Sequence, residues 1–257
     1  MCETCGCDGE DAPRITLEPG RPVPLEQVPL EQVPLEQVPL EQVPLEHVTL
    51  EQKVLARNDD LAGLNRTWFA ERGIVALNMM SSPGSGKTTL LERTVADLSP
   101  DRPISVIEGD QETLLDARRL TDAGARTVQV NTGAGCHLDA AMVAGALTAL
   151  APPDGSTVFI ENVGNLVCPA LFDLGERARV VLMSVTEGAD KPLKYPYMFR
   201  GADVLLVNKV DLLPHVDFDM DACIAAARRL CPGLEVLPIS ATRGDGLKTW
   251  YDWLAEA

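Results

Sequence analysis

From residue 74 onward, short apolar runs alternate with stretches whose apolar residues recur every three or four positions. The runs are 74–80, 104–107, 127–130, 157–160, 179–183, 203–207 and 234–239. Apolar runs of that length predict strands buried on both faces, and the periodic stretches between them predict helices. One such helix covers 87–98, with Leu90, Leu91 and Val95 as its apolar side, and another covers 221–230. The alternation predicts an α/β fold with a mostly parallel sheet, helices on both faces and functional residues just beyond the strand ends. Upstream, 53–72 reads as a helix whose Leu61, Leu64, Trp68 and Phe69 pack against the domain.

Before that helix the pattern changes to a period of five. Val-Pro-Leu-Glu-Gln occurs four times over 23–42, followed by Val-Pro-Leu-Glu-His and Val-Thr-Leu-Glu-Gln, ending at Gln52. A proline in nearly every unit removes backbone donors and biases the preceding residue away from helix. Five matches neither the helical nor the strand period, so no continuous apolar face forms. The stretch predicts a semi-extended spacer with a contour of up to ~90 Å if polyproline-like. Its prolines lack P-x-x-P spacing, which argues against a proline-rich docking site, and His47 reads as a drifted Gln. Three units follow: a Cys-rich segment at 1–22, the linker at 23–52 and a domain at 53–257, the first two forming a disordered tail.

Composition narrows the partners. The formal net charge is −16, and before residue 53 the cations are only Arg14 and Arg21. Such a surface repels nucleic acid and anionic membrane alike, which leaves a metal cation or a basic protein patch. No apolar run is long enough to span a bilayer and Met1-Cys2-Glu3 begins nothing like a secretory signal, so a cytoplasmic location is expected. Clustered cysteines there mean metal more often than disulfide. Cys2, Cys5 and Cys7 form C-x-x-C-G-C, three thiolates able to converge on one ion with the α-amine as a further donor where it is unblocked. A planar set suits Ni2+ and a tetrahedral set Zn2+; spacing does not choose.

Ser81-Ser82-Pro83-Gly84-Ser85-Gly86-Lys87-Thr88-Thr89 stands between the first strand run and the 87–98 helix, the order of a P-loop. Gly84 and Gly86 let successive N–H groups, with those of Ser85 and Thr89, face one anion at a helix N-terminus. Lys87 is placed for the terminal phosphates and Thr88 for Mg2+. Ser81 departs from the glycine usual at the first position. Asn208-Lys209-Val210-Asp211 follows a later strand run. Asp211 can accept from guanine N1–H and the exocyclic amine, the Lys209 stem can cover the base, and Ser240-Ala241-Thr242 resembles the loop that meets guanine O6 in GTPases. GTP and GDP are thus the expected nucleotides.

Asp110, after the second strand run, is the candidate Mg2+-facing carboxylate, with Asp116 and Glu112 as poorer candidates. Glu161-Asn162-Val163-Gly164 stands where GTPases carry D-x-x-G, so Gly164 can offer its N–H to the γ-phosphate and Glu161 can reach the ion directly or through water. No glutamine follows Gly164 and Asn165 is short, which predicts slow hydrolysis in the monomer. Cys136 and His137, expected to open a helix, and Cys168, four residues past Gly164, offer three metal ligands, one fewer than a closed structural site. Equally, the two cysteines can be small buried hydrophobes and His137 a helix cap. A two-fold dimer would complete the metal site. Because Cys168 shares a loop with Gly164, nucleotide state is expected to change metal affinity. Cys223 and Cys231 read as structural.

The chain resembles the HypB family of hydrogenase nickel-incorporation GTPases, of the SIMIBI class. The resemblance rests on the N-terminal Cys cluster, 81–89, Glu108-Gly109-Asp110, Gly135-Cys136-His137-Leu138, Glu161 to Pro169, Thr186 to Pro196 and Asn208 to Asp211; Ser81 and Glu161 both fit that family's pattern. It implies GTP hydrolysis, nucleotide-dependent dimerisation and nickel delivery to a [NiFe]-hydrogenase large subunit precursor with a HypA-like maturation factor. It carries a nickel role to Cys2, Cys5 and Cys7 and a Ni/Zn role to Cys136, His137 and Cys168. A histidine-rich storage tract is lacking; the proline repeat occupies its place. The rival expectations are a urease-type nickel-insertion GTPase, a GTP-dependent assembly switch with structural zinc, and a passive metal-sequestering protein with a degenerate nucleotide site.

Overall fold

The structure, a computed structural model, describes residues 14–17, 23–24, 50–110, 115–133 and 135–257. Seven parallel strands form its centre: β3 (Val75–Ser81), β4 (Ile104–Asp110), β5 (Arg126–Asn131), β6 (Thr157–Glu161), β7 (Ala178–Ser184), β8 (Val204–Asn208) and β9 (Glu235–Pro238). Two short strands of the N-terminal segment, β1 (Arg14–Leu17) and β2 (Val23–Pro24), extend the sheet antiparallel beyond β5. The order is β2-β1-β5-β4-β6-β3-β7-β8-β9.

Side-chain alternation along each strand builds two cores. In β3, Leu77 and Met79 pack with Leu90, Leu91 and Val95 of α2 (Lys87–Leu98) and with Trp250 of α8 (Leu247–Glu256). Ala76 and Met80 point the other way, Ala76 toward Phe69 of α1 (Leu50–Glu71) and Leu147 of α4 (Ala140–Leu150), Met80 toward Phe199 and Cys223. The remaining helices are α3 (Leu115–Asp122), α5 (Lys191–Lys194), α6 (Pro196–Arg200) and α7 (Met220–Leu230).

Two local expectations are corrected. Helix α1 starts at Leu50, inside the last repeat unit, whose second residue is threonine where the earlier units have proline. Its inward face is Asn58, Ala62, Asn65 and Phe69, whereas Leu64 is 47% exposed. The asparagines are buried because each reaches backbone: Asn58 Nδ2 donates to Asp173 O, Ala140 N donates to Asn58 Oδ1, and Asn65 Nδ2 donates to Ala140 O and Leu174 O. Cys136 and His137 do not open a helix; α4 begins at Ala140, with the Asp139 carboxylate accepting from Met142 N. Residues 14–17 and 23–24 of the N-terminal segment lie in the sheet. Cys2, Cys5, Cys7, most of the pentapeptide repeat and Glu112 lie outside the described residues.

Candidate functional site

Parallel strands put their carboxyl ends on one rim, and the motif loops gather there. β3 ends in the phosphate-binding loop, where Gly84 and Gly86 have φ of 72° and 97°. A Cβ on Gly86 would meet Asn208 Nδ2 at 2.5 Å, so both the backbone and its surroundings demand glycine. Asn208 closes the rim: its Nδ2 donates to Ser85 O at 2.9 Å, and its Oδ1 accepts from Ala241 N at 3.1 Å. Lys209, left-handed at φ 61°, donates through Nζ to Gly84 O at 2.8 Å. Ser240 Oγ donates to Asp211 Oδ1 at 2.7 Å. Strand ends far apart in sequence are thus joined into one surface around the loop.

Lys87 Nζ, at 3.1 Å, and Thr88 Oγ1, at 2.7 Å, both donate to Glu161 Oε1 at the end of β6. Glu161 is buried, and its Oε2 has no hydrogen-bond partner in the structure. Thr88 Oγ1 also lies 3.4 Å from Asp116 Oδ2 on α3. Asp110 is the last residue of β4, still within the strand, rather than beyond it. Beneath them sits Glu108, its carboxyl pushed up to about 9 by burial and by the carboxylates of Glu161, Asp110 and Asp116. Lys87 pairs with Glu161 and Arg119 with Asp116, and the Glu161 oxygen left without a partner beside the Thr88 hydroxyl fits a hard divalent cation such as Mg2+.

The second cluster adjoins the first. The ligand atoms of Cys136, His137 and Cys168 all lie within 4.8 Å of one another, with Cys136 Sγ 3.6 Å from His137 Nδ1. His137 stacks on Phe172 at a centroid distance of 3.9 Å, which fixes the ring plane, and burial lowers its pKa, favouring the neutral imidazole that binds metal. Thiol, thiol and imidazole make a donor set for a borderline ion such as Ni2+ or Zn2+. Cys223, buried and with its thiol pushed up to about 11, and Cys231, bonded to Ala202 O, stand elsewhere.

Sequence reasoning missed the residue that joins the two clusters. Asn162 Oδ1 accepts from Leu138 N and from Val163 N, both at 3.0 Å, and its Nδ2 donates to Asn78 Oδ1 at 3.3 Å. Asn165 Nδ2 donates to Cys136 O at 3.3 Å. The stretch 162–165 therefore holds the Cys136-His137 loop directly, and Gly164 lies against Pro83 of the phosphate-binding loop, with only 3.2 Å to spare for a Cβ. Glu187 was also missed, although Ser184-Val185-Thr186-Glu187 has capping-box spacing. It caps the turn after β7 and accepts from the Ser82 hydroxyl. A polar cleft of about 240 Å³ at the opposite rim is lined by Arg66, Arg177 and Arg179, which are engaged by Asp173, Ala257 O and Glu176.

Fold and site together define a P-loop nucleotide-binding protein. A family model described as CobW/HypB/UreG, nucleotide-binding domain, matches residues 75–238. The hydrogenase maturation factor HypB of Rhizobium leguminosarum bv. viciae is 58% identical over 201 residues, covering 78% of this chain and 67% of that protein. Among solved structures, HypB of Archaeoglobus fulgidus matches at 40% identity and TM-score 0.74, over 79% of this chain and 98% of its own. HypB of Helicobacter pylori in complex with nickel matches at 40% identity and TM-score 0.73, over 78% and 94%. The chain belongs to the HypB hydrogenase maturation factors of the CobW/HypB/UreG family.

Proposed function

We propose that the chain is a GTP-hydrolysing nickel metallochaperone that delivers Ni(II) to the large subunit of a [NiFe]-hydrogenase. The observation that carries the reading is the adjacency of Gly164 and Cys168 on one loop, with Asn162 and Asn165 bonded to the loop bearing Cys136. A γ-phosphate drawing on the Gly164 N–H moves this segment, and with it one of three metal ligands. The nickel-bound relative from H. pylori, at 40% identity, supports nickel as the cargo.

In this reading Lys87 exchanges its Glu161 partner for the β- and γ-phosphates, and the amides at Gly84 to Thr89 cradle them. Thr88, with Glu161, Asp116 and Asp110 nearby, would hold Mg2+, which supplies charge neutralisation for the departing phosphate. Asp211 selects guanine: facing adenine, its half-buried carboxylate would keep Ser240 Oγ but lose the N1–H and amine donors of the base. Asn165, short and already bonded to Cys136 O, is a poor orienter of water, which accounts for the slow turnover proposed for a single protomer. Val167 and Leu171, the exposed apolar residues flanking Cys168, suit burial against a second copy that completes the metal coordination, so the homodimer is proposed as the delivering form. A HypA-like factor is the proposed companion.

The test is hydrogenase maturation in a strain lacking the gene and complemented with this chain or with Lys87→Ala. Restored maturation with the parent and loss with the variant are expected. Equal maturation would point to passive sequestration, and a folded core that ignores nickel while binding zinc to an assembly switch.

A further inference from the structure

Asn78 interrupts the apolar run that forms β3. It is fully buried, on the face of the strand that carries Ala76 and Met80, with Ile160 of β6 and Arg179 of β7 as its neighbours in register. Asparagine is a poor strand former, and a buried amide costs free energy unless both of its ends are bonded. Both are bonded here. Nδ2 donates to Glu176 Oε1 and Oδ1 accepts from Asn162 Nδ2, each at 3.3 Å. Glu176, buried just before β7, also accepts from Arg179 Nε and from Leu174 N, both at 2.7 Å. A line of side chains thus crosses the interior from Arg179, at the cleft on the opposite rim, to Leu138, the residue after His137.

The two ends of this line dictate its direction. A backbone N–H only donates, so Leu138 N and Val163 N require Asn162 to present Oδ1, and its Nδ2 then faces Asn78. A carboxylate only accepts, so Glu176 requires Nδ2 of Asn78, which leaves Oδ1 for Asn162. Each amide therefore has one orientation that satisfies every partner. Reversing either sets donor against donor and acceptor against acceptor. Asn162 is fixed from inside the core, whereas Gly164 and Cys168, further along the same loop, are half-buried.

We propose that Asn78 and Glu176 are positioning residues for the metal site: they hold Asn162 as a fixed pivot, which orients the Cys136-His137 loop while residues 164–168 stay free to move. Both act through Asn162. The inference rests on the reading of Cys136, His137 and Cys168 as metal ligands.

Its test is Ni(II) affinity, measured by competition with a chromophoric chelator in the full chain carrying Cys2→Ser/Cys5→Ser/Cys7→Ser, which serves as the parent. Asn78→Val supplies a good strand former but neither hydrogen bond. It is expected to weaken Ni(II) binding by about 10-fold, the lower end of what losing an outer partner costs a metal site, and to leave GTP affinity within about 2-fold. Asn78→Asp combined with Glu176→Gln rebuilds the line with the negative charge moved one place. The introduced carboxylate accepts from Asn162 Nδ2 and from the glutamine amide, whose oxygen accepts from Leu174 N. That double variant is expected to keep Ni(II) affinity within about 3-fold of the parent. A packing role alone predicts the reverse order, because valine suits a buried strand and the double variant carries a buried charge. In the parent itself, the side-chain amide protons of Asn162 are expected to exchange with solvent at least ~100-fold more slowly than those of free asparagine, a readout that needs no variant to fold. Unchanged Ni(II) affinity in Asn78→Val, a double variant weaker than Asn78→Val, or exchange at the free rate would overturn the inference alone. Failure of the parent to bind nickel would overturn the metal-site reading and the inference with it.

Discussion

The loops proposed to face a nucleotide are laced to one another by Asn208, Lys209 and Ser240 at 2.7 to 2.9 Å, and Gly86 leaves no room for a side chain between them. The metal cluster next door is looser: its ligand atoms lie up to 4.8 Å apart, and Cys168 sits in a short 3-10 turn between half-exposed apolar residues. A rigid cradle beside an adjustable ligand is the arrangement a nucleotide-driven metal switch requires. In the proposed function the cradle would register the γ-phosphate and the looser side would move in response.

The sharpest way to break this contrast is to deform the cradle. Gly86→Val places branched carbons against Asn208 in a backbone region closed to valine, and GTP affinity measured by calorimetry is expected to fall at least 100-fold, with the fold retained by circular dichroism. Asp211→Asn tests base choice: guanine preference over adenine in competition binding is expected to drop by roughly 10- to 100-fold, matching the ~1–3 kcal/mol of hydrogen bonds to a charged group.

Glu108 gives a pH signature. Its folded pKa of about 9 exceeds the ordinary 4.5, so the folded state holds a proton the unfolded state gives up. The stability this contributes is full below pH 4.5 and is lost as pH rises toward 9, with a slope of at most ~1.4 kcal/mol per pH unit. Glu108→Gln is expected to flatten that slope in urea titrations between pH 5 and 8. On the loose side, Asn162→Ala cuts the bonds to Leu138 and Val163. Metal affinity is expected to weaken by about 10-fold and to become nearly independent of nucleotide, while GTP affinity changes less. Leu64→Ser is the smallest change: because Leu64 faces solvent, thermal unfolding should shift by no more than about 0.5 kcal/mol.

Much of this was readable from the chain because the physics is local. Apolar runs such as Thr157 to Ile160 and Val204 to Val207 are long enough for strands and too short for helices, and glycine spacing before Lys87 leaves few alternatives to a phosphate cradle. What escaped depends on partners distant in sequence. Asn58 and Asn65 give no inward signal until their carbonyl partners near residues 140 and 174 are known, whereas Leu64, assigned inward for its apolar side chain, faces solvent. Glu161 was assigned a role at the ion, but its hold on both Lys87 and Thr88 follows from β6 lying beside β3. Asp116, ranked behind Asp110, is the carboxylate that comes within 3.4 Å of the Thr88 hydroxyl because α3 turns back over the loop. The strand at 14–17 had no signal of its own, since four residues match an edge only when that edge exists.

The central claim is that guanine nucleotide state and metal affinity are coupled through residues 162–168. It is tested most directly by titrating Ni(II) into the full chain carrying Cys2→Ser/Cys5→Ser/Cys7→Ser, once with a non-hydrolysable GTP analogue and Mg2+ and once with GDP and Mg2+. Affinities differing by at least ~5-fold, the lower end of measured coupling between sites, are predicted. Identical affinities in the two states, with nucleotide saturation verified, would contradict it.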